Sequence, residues 1–176
     1  MKKTMSKIFV AACFAISVSG CKEEDPSANI RLANIPEAVA ATSDFDVLEA
    51  AMKRANLVTD LGATGPLTLF APTDAAFQTF LAVTSEGAAI TAIGKTDVTV
   101  LANILKYHVV AKKAKASDLT AGPVTTLGGK AFTVDLANGV KLTGTGNAGK
   151  SANVTSADVE VSNGIIHVID RVLLPN

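Results

Sequence analysis

Three glycine turn dipeptides, Gly128-Gly129, Asn138-Gly139 and Asn163-Gly164, punctuate the second half of a 176-residue chain. They separate runs rich in β-branched residues at 124–127, 131–136, 140–143, 159–161 and 165–174. Such dipeptides supply the positive φ angles of tight hairpins, so this half predicts antiparallel strands. The first half carries a different signal. Ser43-Asp44 precede Phe45, Leu48, Met52 and Ala55 at helical spacing. Thr73-Asp74 precede Ala75, Ala76, Phe77 and Phe80, and Thr96-Asp97 precede Val98, Leu101, Ile104 and Leu105. Short oxygen-bearing side chains before an apolar stripe cap the free amides of a first turn, which predicts three helices. Leu67-Thr68-Leu69-Phe70 reads as a short buried strand ended by Pro72. Helices and strands thus segregate, and the fold class is α+β with an antiparallel sheet.

Residues 1–20 read as a targeting segment, with Lys2, Lys3 and Lys7 ahead of an apolar stretch from Ile8 to Val18 that is too short to span a bilayer. Val18-Ser19-Gly20-Cys21 resembles the lipobox of bacterial lipoproteins, in which small residues precede a cysteine that is acylated and becomes the new N-terminus. That resemblance implies removal of residues 1–20, acylation of Cys21, a lipidated tether at 21–38 and one domain at 39–176. Acyl chains hold by about 0.8 kcal/mol per buried methylene, so the membrane would be engaged through the anchor alone. Lys22-Glu23-Glu24-Asp25 resembles the lysine-plus-acids signal that sends some Gram-negative lipoproteins to the outer face of the outer membrane; without it the domain would face the periplasm. Loss of the leader takes three of 16 basic residues and none of 16 acidic ones, leaving a net charge of −3. A nucleic-acid partner, which needs a basic patch, is disfavoured.

One motif argues for an enzyme. Gly144-Thr145-Gly146-Asn147-Ala148-Gly149-Lys150-Ser151 satisfies both GxxxxGK[ST] and GxGxxG. A phosphate loop works by leading a strand into a helix whose first amides face the phosphate, whereas the residues after Ser151 alternate and are β-branched. The motif therefore reads as a hairpin loop, and no nucleotide is expected. The two histidines, His108 and His167, each lie in an extended apolar run. A metal needs three or four converging ligands, so both read as buried imidazoles with satisfied nitrogens, and no metal is expected. No GxSxG elbow is present to support a serine triad. Aromatics make up 5% of the chain with no tryptophan, too few for a sugar-stacking face. Lys112-Lys113-Ala114-Lys115 reads as a solvated basic run. A small-ligand carrier with a cleft between helices and sheet stays open, because a cleft is not written in sequence.

Three segments together resemble the fasciclin domain. Leu67-Thr68-Leu69-Phe70-Ala71-Pro72-Thr73-Asp74-Ala75-Ala76-Phe77 is similar to its first signature and Leu105-Lys106-Tyr107-His108-Val109-Val110 to its Tyr-His motif. Asn163-Gly164-Ile165-Ile166-His167-Val168-Ile169-Asp170-Arg171-Val172-Leu173-Leu174-Pro175 is similar to its closing signature. The resemblance implies a wedge of antiparallel strands, sheet or sandwich, with helices packed on one side. It also implies adhesion or extracellular interaction with a protein or matrix partner, without catalysis or cofactor. Tyr107 and His108 are then either an interaction motif or core. Elementary chemistry gives the other signature residues structural parts: Pro72 ends the strand, Thr73 or Asp74 caps the next helix, and Phe70 and Phe77 bury on either side of that corner. Asp170 and Arg171 are expected to pair with one another beside His167 in the last strand.

Overall fold

In the computed structural model, which describes residues 32–63 and 65–176, the expected strands form one seven-stranded sheet. In chain order they are β1 (Leu67–Pro72), β2 (Val109–Val110), β3 (Gly122–Thr125), β4 (Ala131–Asp135), β5 (Lys141–Thr143), β6 (Ala152–Val161) and β7 (Gly164–Ile169). Their order across the sheet is β2-β1-β7-β6-β5-β4-β3. Every neighbouring pair is antiparallel except β1 and β7, which run parallel with Phe70 opposite His167. The one parallel pair departs from an all-antiparallel sheet because β1 comes from the helical half and reaches β7 only after a long excursion. Both of its faces are covered, which is why β1 and β7 read as continuous apolar runs rather than as alternating ones.

Six helices cover one of those faces: α1 (Ile35–Ala40), α2 (Asp46–Arg54), α3 (Val58–Gly62), α4 (Asp74–Leu81), α5 (Glu86–Lys95) and α6 (Val98–Tyr107). Leu69, Ala71 and Ile166 point into this layer and meet Ile35, Leu48, Met52, Leu61, Phe77, Ile93 and Leu101 in one apolar core. The folded unit begins before Val39, where the sequence places the end of the tether. Ile35 and Val39 are fully buried, Asn34 caps α1 with Glu37 answering in a capping box, and the Ser162 amide donates to the Ala33 carbonyl. At six residues, α1 is too short to show a helical period.

The other face of the β1–β7 pair carries Phe70 and Ile169, which meet Tyr107, Phe132, Val134, Leu142 and Leu173 in a second core. Phe70 and Phe132 stand edge to face with centroids 5.2 Å apart. Their strands are four places apart in the sheet, about 19 Å if it were flat. The sheet therefore curls back over itself. The bend falls in β6, where the pairing with β7 slips between Val154 and Val159 and Asp158 takes φ +60°. A bulge of this kind raises the local twist and turns the strand. The first residues of β6 pair with β5 and the remainder with β7, so this strand joins the two halves.

Candidate functional site

Tyr107 ends α6 and His108 follows it as the C-cap, at the seam between the two cores. Both are about 1% exposed. The Tyr107 hydroxyl donates to the Ala131 carbonyl at 2.7 Å and accepts from the Thr145 amide at 3.2 Å, tying α6 to the start of β4 and to the loop after β5. His108 Nε2 accepts from the Leu173 amide at 2.9 Å, which places the proton on Nδ1, 2.7 Å from the Ile104 carbonyl that accepts it. Burial holds this imidazole neutral, with its pKa lowered to about 4 despite the opposing pull of the Ile104 carbonyl.

His167 is arranged in the same manner. Its Nδ1 accepts from the Asp158 amide at the bulge, and its Nε2 donates to the Ala114 carbonyl at 2.9 Å. Its ring stacks on Phe70 at 5.2 Å, and Phe70, Phe132 and Tyr107 continue as an edge-to-face row. Each histidine thus pins one irregular segment to the sheet: His108 holds the tail after β7, and His167 holds the strap after β2. Thr68 joins in on the strap, its Oγ1 donating to the Lys112 carbonyl and accepting from the Ala114 amide. On the outside of the strap Lys115 and Lys113 reach Glu160 at 3.0 and 3.8 Å. Among the described residues, no buried side-chain nitrogen or oxygen lacks a partner.

At the corner after β1 one of the two candidate caps serves. Thr73 caps α4 by accepting from the Ala76 amide. Asp74 does not cap its own helix. Its carboxylate crosses to α2 and accepts from the Val47 amide at 2.9 Å and the Asp46 amide at 3.3 Å. Ser43 and Asp44 lie in a 3-10 turn with no capping bond, so Asp74 supplies from another segment the cap that sequence places locally. Burial raises the pKa of Asp74, partly offset by those two amides, with Asp46 and Asp44 adding to the rise. Carboxylate oxygens of Asp46, Asp74 and Glu86 come within 4.8 Å of one another, but those of Asp74 are already committed to amides. Phe70 and Phe77 do bury on opposite sides of this corner, one in each core.

Asp170 and Arg171 do not pair. Asp170 accepts from the Asn153 amide and from its side-chain Nδ2, both at 2.7 Å, while Arg171 Nε donates to the Ser151 carbonyl. Successive residues leaving a strand point apart, which separates the two charges.

The glycine-rich loop joins β5 to β6, and no helix follows it. It clasps the tail instead. Asn147 accepts from the Leu174 amide at 2.7 Å and donates to the Val172 carbonyl at 2.8 Å, and the Gly146 amide donates to the Leu174 carbonyl. A Cβ at Gly144 would fall on the Asn147 side chain, and one at Gly146 would lie 2.7 Å from the Pro175 carbonyl. The two glycines are therefore needed for close approach of chain to chain.

A groove that sequence does not signal runs between α4, α6 and this tail. Its larger part, about 630 Å³, is floored by Phe80, Val100, Ile104, Tyr107, Leu174 and Pro175. A smaller part of about 170 Å³ shares Phe80, Gly146 and Leu174 with it and includes Lys150 and Arg171. Cys21 and the run Lys22-Glu23-Glu24-Asp25 lie outside the described residues.

Comparison with known proteins agrees with this architecture. Protein sll1483 of Synechocystis is 42% identical over 142 residues, covering 80% of this chain and 73% of that one. The immunogenic protein MPB70 of Mycobacterium bovis is 36% identical over 149 residues, covering 80% and 69%. A solved FAS1 domain pair from the insect cell adhesion molecule Fasciclin I superimposes with a TM-score of 0.64 at 22% identity, over 82% of this chain and 52% of that one, and so shares the fold. The family profile described as the fasciclin domain matches residues 43–175, which span both signature strands and the Tyr-His corner between them; the chain belongs to the fasciclin domain family.

Proposed function

We propose that this protein is a membrane-anchored lipoprotein whose fasciclin domain mediates adhesion or protein and matrix contacts outside the cytoplasm, without catalysis. Acylated Cys21 holds the chain to the membrane, the polar residues that follow act as the tether, and Lys22-Glu23-Glu24-Asp25 directs it to the outer membrane and the cell surface. The observation that carries the non-catalytic reading is the state of the two histidines. Both nitrogens of each imidazole are taken up by backbone groups, so neither ring has a free site for a substrate or a metal. Support for the adhesive and surface reading comes from relatives. The fold neighbour is a domain pair from an insect cell adhesion molecule, and a relative 35% identical over 120 residues, covering 68% of this chain and 48% of that one, is a cell surface glycolipoprotein of Mycobacterium bovis. On this reading His108 holds the tail and Tyr107 holds the start of β4 and the loop after β5, so the pair shapes the contact surface and does not touch the partner itself.

The test combines anchoring and adhesion in one bacterial host. Cells expressing the wild-type chain should incorporate a clickable fatty acid into it and adhere to a matrix-coated surface. Cys21→Ser should lose the label and return adhesion to that of empty cells. Equal labelling of the variant would sink the anchor, and wild-type adhesion no better than that of empty cells would sink the adhesive reading. Alanine at residues 22–25 should lower protease accessibility on intact cells; unchanged accessibility would reduce that run to a plain linker.

A further inference from the structure

We propose that the groove between α4, α6 and the tail binds a long-chain fatty acid anion, its alkyl chain along the apolar floor and its carboxylate at Lys150 and Arg171. The site is independent of the adhesive reading. Its volume falls within the roughly 300–1,000 Å³ of ordinary small-molecule pockets. Phe80 is 39% and Val100 51% exposed, so α4 and α6 leave large apolar side chains in water along this groove while their neighbours Phe77 and Leu101 are buried. Covering them removes apolar surface from water, a gain open to any apolar ligand that fits.

The smaller part narrows the choice. Lys150 and Arg171 both line it, and among the described residues neither has a carboxylate partner. The one hydrogen bond from the Arg171 guanidinium, through Nε to Ser151, leaves its terminal nitrogens as donors. Asp170, the nearest acid in sequence, is turned away onto Asn153. A planar guanidinium beside a lysine suits a carboxylate. An extended peptide finds little to pair with here, because the Gly146 amide and the Tyr107 hydroxyl are already committed to the fold. A trough with an apolar floor, the Lys150 and Arg171 pair lining its smaller part and Lys130 lining its larger part fits an alkyl chain bearing one negative end placed at the pair.

Tyr107 gives a direct readout. It lines the trough, and it is the only tyrosine in a sequence without tryptophan, so its emission reports on occupancy. The mature chain from residue 21, carrying Cys21→Ser so that no attached acyl group competes, is titrated with hexadecanoate below its micellar concentration. The expected result is saturable one-to-one binding, seen both in Tyr107 emission and by calorimetry. Lys150→Glu, on an exposed loop, should weaken it about tenfold or more through loss of a charge-assisted contact. Val100→Asp should abolish it, and the melting temperature of each unliganded variant should match that of the parent. Hexadecanol should bind at least about tenfold more weakly than hexadecanoate, having no charge to place. No saturable response, or the same affinity in parent and Lys150→Glu, overturns the proposal. Equal affinity for hexadecanol also overturns it, since the cationic end would then be idle.

Discussion

On the helical face of the β1–β7 pair, Leu69, Ala71 and Ile166 meet aliphatic and aromatic side chains from all six helices, and the buried carboxylate of Asp74 is spent on capping α2. On the opposite face Phe70 and Ile169 meet a core of similar apolar character, threaded with His108, His167, Thr68, Asn147 and the Tyr107 hydroxyl. The helices satisfy their own backbones, so their layer needs only shape and volume. The curled strands are joined by a strap and a tail without regular pairing, and their backbone groups must find side-chain partners. Volume is therefore the main requirement on one face, and hydrogen-bond geometry is an added requirement on the other.

The largest effects should be common to both faces. Phe77→Ala and Phe70→Ala each open a cavity in a fully buried site and should cost about 3–5 kcal/mol in urea unfolding. The contrast appears with gentler changes. Met52→Leu should cost less than about 1.5 kcal/mol because volume is conserved. His108→Leu should cost more, since it strands the Leu173 amide and the Ile104 carbonyl. Equal costs for these two would erase the distinction drawn between the cores.

Acid should act on the strand side through His108. The unfolded imidazole binds its proton near the usual 6.5, whereas in the fold it stays neutral down to about 4. Between those values the unfolded chain holds the extra proton, so stability is full above pH 6.5 and falls by about 3 kcal/mol by pH 4. Asp74 runs the other way: its pKa is raised, so its ionisation weakens the fold as pH climbs above the usual 3.8. Urea midpoints between pH 7 and 4 for the wild type and His108→Gln measure the histidine part, and an unchanged slope in the variant would remove His108 as its source.

Tyr107→Phe sharpens the comparison further, because it deletes one oxygen and leaves the ring in place. It strands the Ala131 carbonyl and the Thr145 amide, for an expected loss of about 1–2 kcal/mol by thermal melting. A loss within error would mean that water replaces the hydroxyl and that the seam is not closed. The smallest effect belongs outside both cores. Glu160→Ala removes a solvent-screened partner from Lys113 and Lys115 and should leave the melting temperature unchanged.

The difference between the faces also governs what the sequence discloses. Hairpins at Asn138-Gly139 and Asn163-Gly164 and the caps at Thr73 and Asp97 are local devices, written in adjacent residues, and each stands where its residues predict. The curl of the sheet is not local. It depends on a bulge at Asp158, a residue type that gives no strand signal, so β6 is longer than its β-branched stretch suggests. Asp74 and Asn147 act on partners remote in sequence, α2 in one case and the tail in the other, and no spacing rule reaches that far. The same holds for the groove, whose walls come from α4, α6 and the tail. Two of its cations, Lys150 and Arg171, belong to two motifs that each suggest another use, a phosphate loop and an ion pair.

The parallel pairing of residues 67–72 with 164–169 has a consequence in time. Everything from α4 to β6 lies between these two strands in the chain, so the centre of the sheet is a pairing of high sequence separation. Such contacts close late and slowly, because the loop entropy must be spent before they return anything. A nascent chain that has emerged only as far as α6 has β1 without its central partner, and Leu69 and Phe70 without half of their surroundings. The domain cannot complete its fold until β7 and the tail are out, so a lengthening chain stays only partly folded until its last residues emerge.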